Sequence, residues 1–144
     1  VLLAESRQAM SCILAEKVVS ESTSYCRYSG RLTWVVLDWL IRHVGELDEK
    51  TVLRETARHG ELSVLGVLCD AAYRYRAHAK FRRMMRACVP QAHPVVFFHR
   101  VARSPLATRL TRQQALPVFL RWNYYCSELN YLTDKMRTGA VACS

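Results

Sequence analysis

Three kinds of chemistry can be written from the side chains of this 144-residue chain, and they differ in how many residues carry them. Arg54 and His59 form an Arg-x4-His pair near a predicted helix end, a candidate catalytic couple; the plainer role for His59 is to sit beside a helix C-terminus, whose partial negative charge favours it. Cys88, His93 and His99, with Cys69 or Cys126 as a fourth, are of zinc-ligand type. Their spacings match no standard finger, and scattered cysteines commonly serve as small core residues. Nothing forms a Ser-His-Asp or Cys-His arrangement beyond having the residue types, and the basic region has no carboxylates to pair. The third chemistry is anion binding. Residues 71–127 contain no Asp or Glu, yet carry Arg74, Arg76, Lys80, Arg82, Arg83, Arg86, Arg100, Arg103, Arg109, Arg112 and Arg121.

An unbalanced patch repels itself, so a partner of opposite charge is expected to offset it. The formal charge of +9 is unevenly spread: residues 1–70 hold eight Arg and Lys against ten Asp and Glu, residues 71–127 eleven against none, and residues 128–144 two against two. Only Lys17, Lys50, Lys80 and Lys135 are lysine; the other 17 basic residues are arginine, whose planar fork suits phosphate and stacks on bases. Coding-genome composition gives the same bias.

The elements that must position these residues are helical. With 51% hydrophobic and 23% charged residues, five Gly and four Pro, the chain fits one globular domain with its own core. Leu3, Met10, Ile13, Leu14 and Val18 predict a first amphipathic helix over 2–19, followed by a polar loop over 20–30. A second helix, 31–44, is apolar on nearly every side and is expected at the centre of the bundle. Asp48 is the expected N-cap of a third, with Leu47 and Val52 as a hydrophobic staple and Gly60 as its stop. Tyr73, Ala77, Phe81, Met84 and Cys88 predict one face of a helix, with Arg76, Lys80, Arg82, Arg83 and Arg86 spread over the other, ending before Pro90. Val95 to Phe98 reads as a short strand or buried extended segment. Ser104-Pro105 signals a helix start, Thr111 and Gln114 fit a capping box, and Pro117 kinks the next helix or marks its start. Phe119, Leu120, Trp122, Tyr125, Leu129 and Leu132 predict a closing amphipathic helix, with Phe119 and Trp122 in the core and Tyr124 exposed. The expected fold is all-α, a single compact bundle of about five to seven helices, with a mildly acidic half (1–70) and an arginine-rich half (71–127).

The Arg54-x4-His59 spacing resembles that of the HEPN-type helical ribonucleases, and this resemblance implies a metal-independent RNA cleavage by an Arg and a His. Residues 55–65 are similar to the helix pair of an ankyrin repeat, but they lack its Thr-Pro-Leu-His signature and a second copy, so a common helix packing pattern accounts for them. A helix-turn-helix DNA reader is disfavoured because Ala57 precedes Gly60 by three positions rather than four.

Six widely spaced cysteines without a CxxC pair favour free thiols in a reducing compartment: nucleus, cytoplasm or organelle matrix. No apolar run is long enough to span a bilayer. Val at position 1 fits an excised domain or a processed chain. The favoured function is a non-enzymatic domain that binds nucleic acid, RNA or a single strand ahead of duplex DNA. Its expected contacts are Arg74, Tyr75, Arg76, Lys80, Arg82, Arg83, Arg86, Arg100, Arg103, Arg109 and Arg112, with no catalytic residue, metal or cofactor. The alternatives are a protein-interaction module meeting an acidic protein surface, as in a viral or organellar ribonucleoprotein assembly, and the HEPN-like nuclease. A membrane-surface role ranks lower, because the basic helix needs its apolar face for the core.

Overall fold

A computed structural model describes residues 15–59, 61–99 and 104–126. Among these the chain forms seven α-helices: α1 (the described part, residues 15–23), α2 (Gly30–His43), α3 (Glu49–His59), α4 (Leu62–Tyr75), α5 (Ala79–Ala87), α6 (Pro105–Gln113) and α7 (Pro117–Leu120). Single 3-10 turns, Cys26–Tyr28 and Val44–Glu46, flank α2. Two dipeptides, β1 (Val95–Val96) and β2 (Tyr124–Tyr125), pair in parallel with Val95 opposite Tyr124. The fold is all-α. No helix among the described residues is long and apolar enough to cross a membrane.

The centre belongs to α4 rather than to the helix expected there. Every residue from Ser63 to Ala72 is buried, and α2, α3, α5 and α7 all pack against this one helix. Small residues make that possible. A Cβ built on Gly66 would lie 2.4 Å from the Trp122 ring, so only glycine lets the indole lie flat against the helix. The α2 helix buries Val36, Leu37, Leu40 and Ile41, but Val35 is exposed.

Local chemistry sets most element ends. The Ser29 hydroxyl accepts from Leu32 N (3.1 Å) to start α2, and the Asp48 carboxylate accepts from Thr51 N (3.3 Å) to start α3, with Leu47 and Val52 buried beneath it. The Ser104 hydroxyl accepts from Ala107 N (3.1 Å), and Pro105 and Pro117 occupy first-turn positions of α6 and α7. Four expectations about where elements begin and end fail. The 20–30 segment is helical to residue 23 and then turns through the 3-10 residues, because Thr23 and Thr33 hydroxyls bond the local carbonyls of Ser20 and Cys26. Thr111 does not cap; inside α6 it donates back to Ala107 O (2.8 Å). The basic helix is two helices, because Arg76 leaves helical geometry and the His78 ring nitrogen accepts from Lys80 N (3.1 Å), starting α5 afresh.

The fourth is the closing helix, which stops at Leu120. Asn123 adopts φ 61°, a left-handed conformation that Asn tolerates, and its side-chain amide donates to Gln91 O (2.7 Å). The chain reverses there and lays β2 against β1. Leu129 and Leu132 lie outside the described residues.

Candidate nucleic-acid interface

The arginine-rich half is less free than its composition suggests. Arg76 Nη1 donates to Ile41 O (2.7 Å), and Lys80 Nζ donates to Gly45 O (2.9 Å) and Leu47 O (2.7 Å). Both cations therefore cap the carbonyl end of α2 and the turn after it, where the helix dipole favours positive charge. Arg83 Nε donates to both carboxylate oxygens of Glu49 on α3, at 2.9 and 2.8 Å. That hydrogen bond holds the Glu49 carboxyl below its ordinary value and the Arg83 guanidinium above its own. Arg74, at the end of α4, lies 3.5 Å from a buried carboxylate, Asp70.

The cations of α5 without a hydrogen bond or ion pair among the described residues are Arg82 and Arg86, both exposed and four residues apart on one face. Arg109 and Arg112 are exposed on α6, where Arg112 stacks over the Tyr125 ring at 5.1 Å. The α5 helix packs on α3, α4 and the 44–46 turn, whereas α6 packs on β1. The basic residues thus form two groups on separately supported elements. Arg100 and Arg103 lie outside the described residues. Tyr75 is half-buried and packs against the core. Among the described residues, Tyr25 and Tyr28 are more than half exposed, and Tyr28 lies against His99 at 4.5 Å.

Tyr124 is fully buried, contrary to expectation. Its hydroxyl shares a 2.7 Å hydrogen bond with Ser63, its ring meets Phe97 edge-on at 5.0 Å, and the Arg27 guanidinium lies over it at 5.1 Å. Burial raises its phenol above the ordinary value. Phe119 and Trp122 are core residues, as the sequence indicates. Arg27, absent from every expected site, ties the molecule together: Nε donates to Phe97 O and Nη2 to Val96 O, each at 2.9 Å.

For the other two chemistries, Arg54 is exposed with Nε 3.9 Å from Glu55, and the side chain of His59 lies outside the described residues. Cys88 is buried while His93 and His99 are exposed, and no three His, Cys, Asp or Glu among the described residues are grouped to hold a metal ion. Cys26, Cys69, Cys88 and Cys126 are all buried, and desolvation pushes the thiols of Cys26 and Cys88 up to about 12. Buried thiols of that kind are poor nucleophiles.

A second surface feature is apolar. Val18 and Ser22 of α1 with Leu32, Val35 and Trp39 of α2 line a groove of about 460 Å³. Among the described residues that line it, Ser22 alone is polar. Compared with protein-family models, with curated proteins and with solved structures, the chain matches none.

Proposed function

We propose that this chain is a non-enzymatic helical domain that binds nucleic acid, RNA or another single strand, through the outer face of α5. Arg82 and Arg86 make the primary phosphate contacts, and Arg83 turns a fully charged guanidinium to the same helix surface while held by Glu49. The observation that carries this reading is the absence of any counter-charge at Arg82 and Arg86 among the described residues, on a chain whose neighbouring cations Arg76, Lys80 and Arg83 are all engaged. Charges of one sign left without partners raise local anion concentration and steer a polyanion to the face. Arg109 and Arg112 on α6 form a subsidiary patch.

Binding of a labelled single-stranded RNA, measured over a salt series, tests it. The affinity should fall log-linearly, with a slope of about 0.7 per phosphate neutralised, and the double variant Arg82→Glu, Arg86→Glu should abolish most of it. An affinity indifferent to salt and to that variant would refute the reading. The α1–α2 groove favours a second reading, a protein-interaction module gripping an apolar helix of a partner; its binding would vary little with salt and would be lost on Val35→Glu.

A further inference from the structure

Asp70 is the last acidic residue before the acid-free stretch, and it sits inside the protein with a side chain only 5% exposed. Three donors converge on it. Arg121 Nε, just past α7, donates to Oδ2 at 2.7 Å, and the Trp122 indole Nε1 donates to the same oxygen at 3.0 Å. Arg74 Nε, one turn along α4, lies 3.5 Å from Oδ1. The two guanidinium groups thus flank one carboxylate, each presenting its Nε edge to it.

A structural tether between α4 and α7 needs less than this. Arg121 and the indole already satisfy Oδ2, and the longer Arg74 contact adds a second like charge beside the first. Two cations against one anion leave the cluster with a net charge of +1, which one further anion would neutralise. Their side chains are 46% and 41% exposed, and their terminal nitrogens make no hydrogen bond among the described residues. Those terminal nitrogens are the part of the fork that binds phosphate in pairs.

We infer that Arg74, Asp70 and Arg121 form a preorganised phosphodiester-binding fork. Asp70 holds the two guanidinium groups by their inner edges, and the outer nitrogens of both donate to the non-bridging oxygens of one phosphate. The single net positive charge matches the single negative charge of a backbone phosphodiester. For the identity of its ligand this rests on the nucleic-acid reading, and it places a specific phosphate pocket where α4 meets the residues after α7, on arginines other than the free ones of α5. Asp70 is a positioning residue, touching the arginines and not the ligand.

The test is a titration of the isotopically labelled full chain with dimethyl phosphate at constant ionic strength, followed by the Nε–H signals of Arg74 and Arg121 and the indole N–H of Trp122. All three should shift together and saturate, while the indoles of Trp34 and Trp39 stay in place. Arg74→Gln leaves the Arg121–Asp70–Trp122 hydrogen bonds intact and should weaken the titration about tenfold, the loss expected for one charge-assisted hydrogen bond. Signals that do not move, that move equally with chloride, or that titrate unchanged in Arg74→Gln would overturn the fork. The outcomes also separate the two claims. If RNA binds and is lost in Arg82→Glu, Arg86→Glu while dimethyl phosphate leaves Trp122 unmoved, the fork falls and the α5 reading stands. A saturable Trp122 shift in a chain that binds no RNA keeps the fork and refutes the reading.

Discussion

The helices α3 and α5 are of similar size, pack against each other and are both amphipathic, yet they handle charge in opposite ways. On α3, Glu55 lies within 3.9 Å of Arg54 and 3.5 Å of Arg58, and Glu49 faces outward to a partner on α5. That helix carries both signs, and its own Glu55 lies beside two of its arginines. On α5 there is no acid, so balance has to come from elsewhere: Lys80 takes backbone carbonyls after α2, and Arg83 takes Glu49 of α3. Arg82 and Arg86 are left over. The difference separates charges that hold the fold from charges that the fold does not use, and it predicts that removing the first kind lowers stability while removing the second lowers affinity.

The comparison breaks most visibly at the buried end. Asp70→Ala strands the Trp122 indole N–H and releases two arginines into water, and should cost about 3 kcal/mol, toward the low end for a buried pair because both arginines are partly solvated already. Chemical denaturation would report it, and an unchanged midpoint would show that the cluster does no structural duty. Next comes Lys80→Met, which keeps the aliphatic stem but leaves the carbonyls of Gly45 and Leu47 without their donor; a loss of about 1 to 2 kcal/mol by thermal unfolding is expected. Were Lys80 a free surface cation like Arg82, the same change would be silent. Tyr124→Phe, which removes only the hydroxyl shared with Ser63, should cost about 1 kcal/mol.

The smallest effect concerns Arg83, and it appears as pH dependence. Its hydrogen bond depresses the Glu49 carboxyl below the ordinary value of 4.5, so the folded state binds fewer protons there than the unfolded one. The resulting stabilisation is present above pH 4.5 and is lost as the pH falls through the depressed folded value. Arg83→Gln should flatten that acid limb slightly and leave neutral stability almost unchanged, because the pair lies at the surface. Acid titrations of the two proteins that superimpose would mean that the α3–α5 pair contributes nothing.

Much of this architecture was legible in the residues. Asp48, Ser104 and the two prolines mark helix starts by local chemistry, and local chemistry is visible in sequence. Helix α5 was legible too, as a one-signed face opposite Phe81 and Met84. The break at Arg76–His78 was not, since no glycine or proline marks it and the cap is a histidine ring. Nor was the division of cations into used and unused. Arg76, Lys80 and Arg82 are indistinguishable in composition, and what separates them is that the C-terminal end of α2 lies within reach of the first two. Tyr124 was misplaced for a related reason: helical periodicity was carried past Asn123, where the backbone turns left-handed and swings the ring inward. For Asp70 the signal was present, a lone carboxylate on an apolar helix at the edge of an acid-free region. A buried charge of that kind requires partners, and the cations of the region are arginines but for Lys80.

The most direct test of the division between used and unused charge sets two double variants side by side, Arg82→Glu, Arg86→Glu and Arg76→Met, Lys80→Met, and measures single-stranded RNA affinity and thermal midpoint for each. The first pair should lose RNA affinity by about a hundredfold or more, as expected for two charge-assisted contacts, with a midpoint close to that of the parent chain. The second should lower the midpoint and change the affinity of the folded protein little. Equal losses of affinity in both pairs, or none in the first, would contradict the assignment of the outer face of α5 as the binding surface.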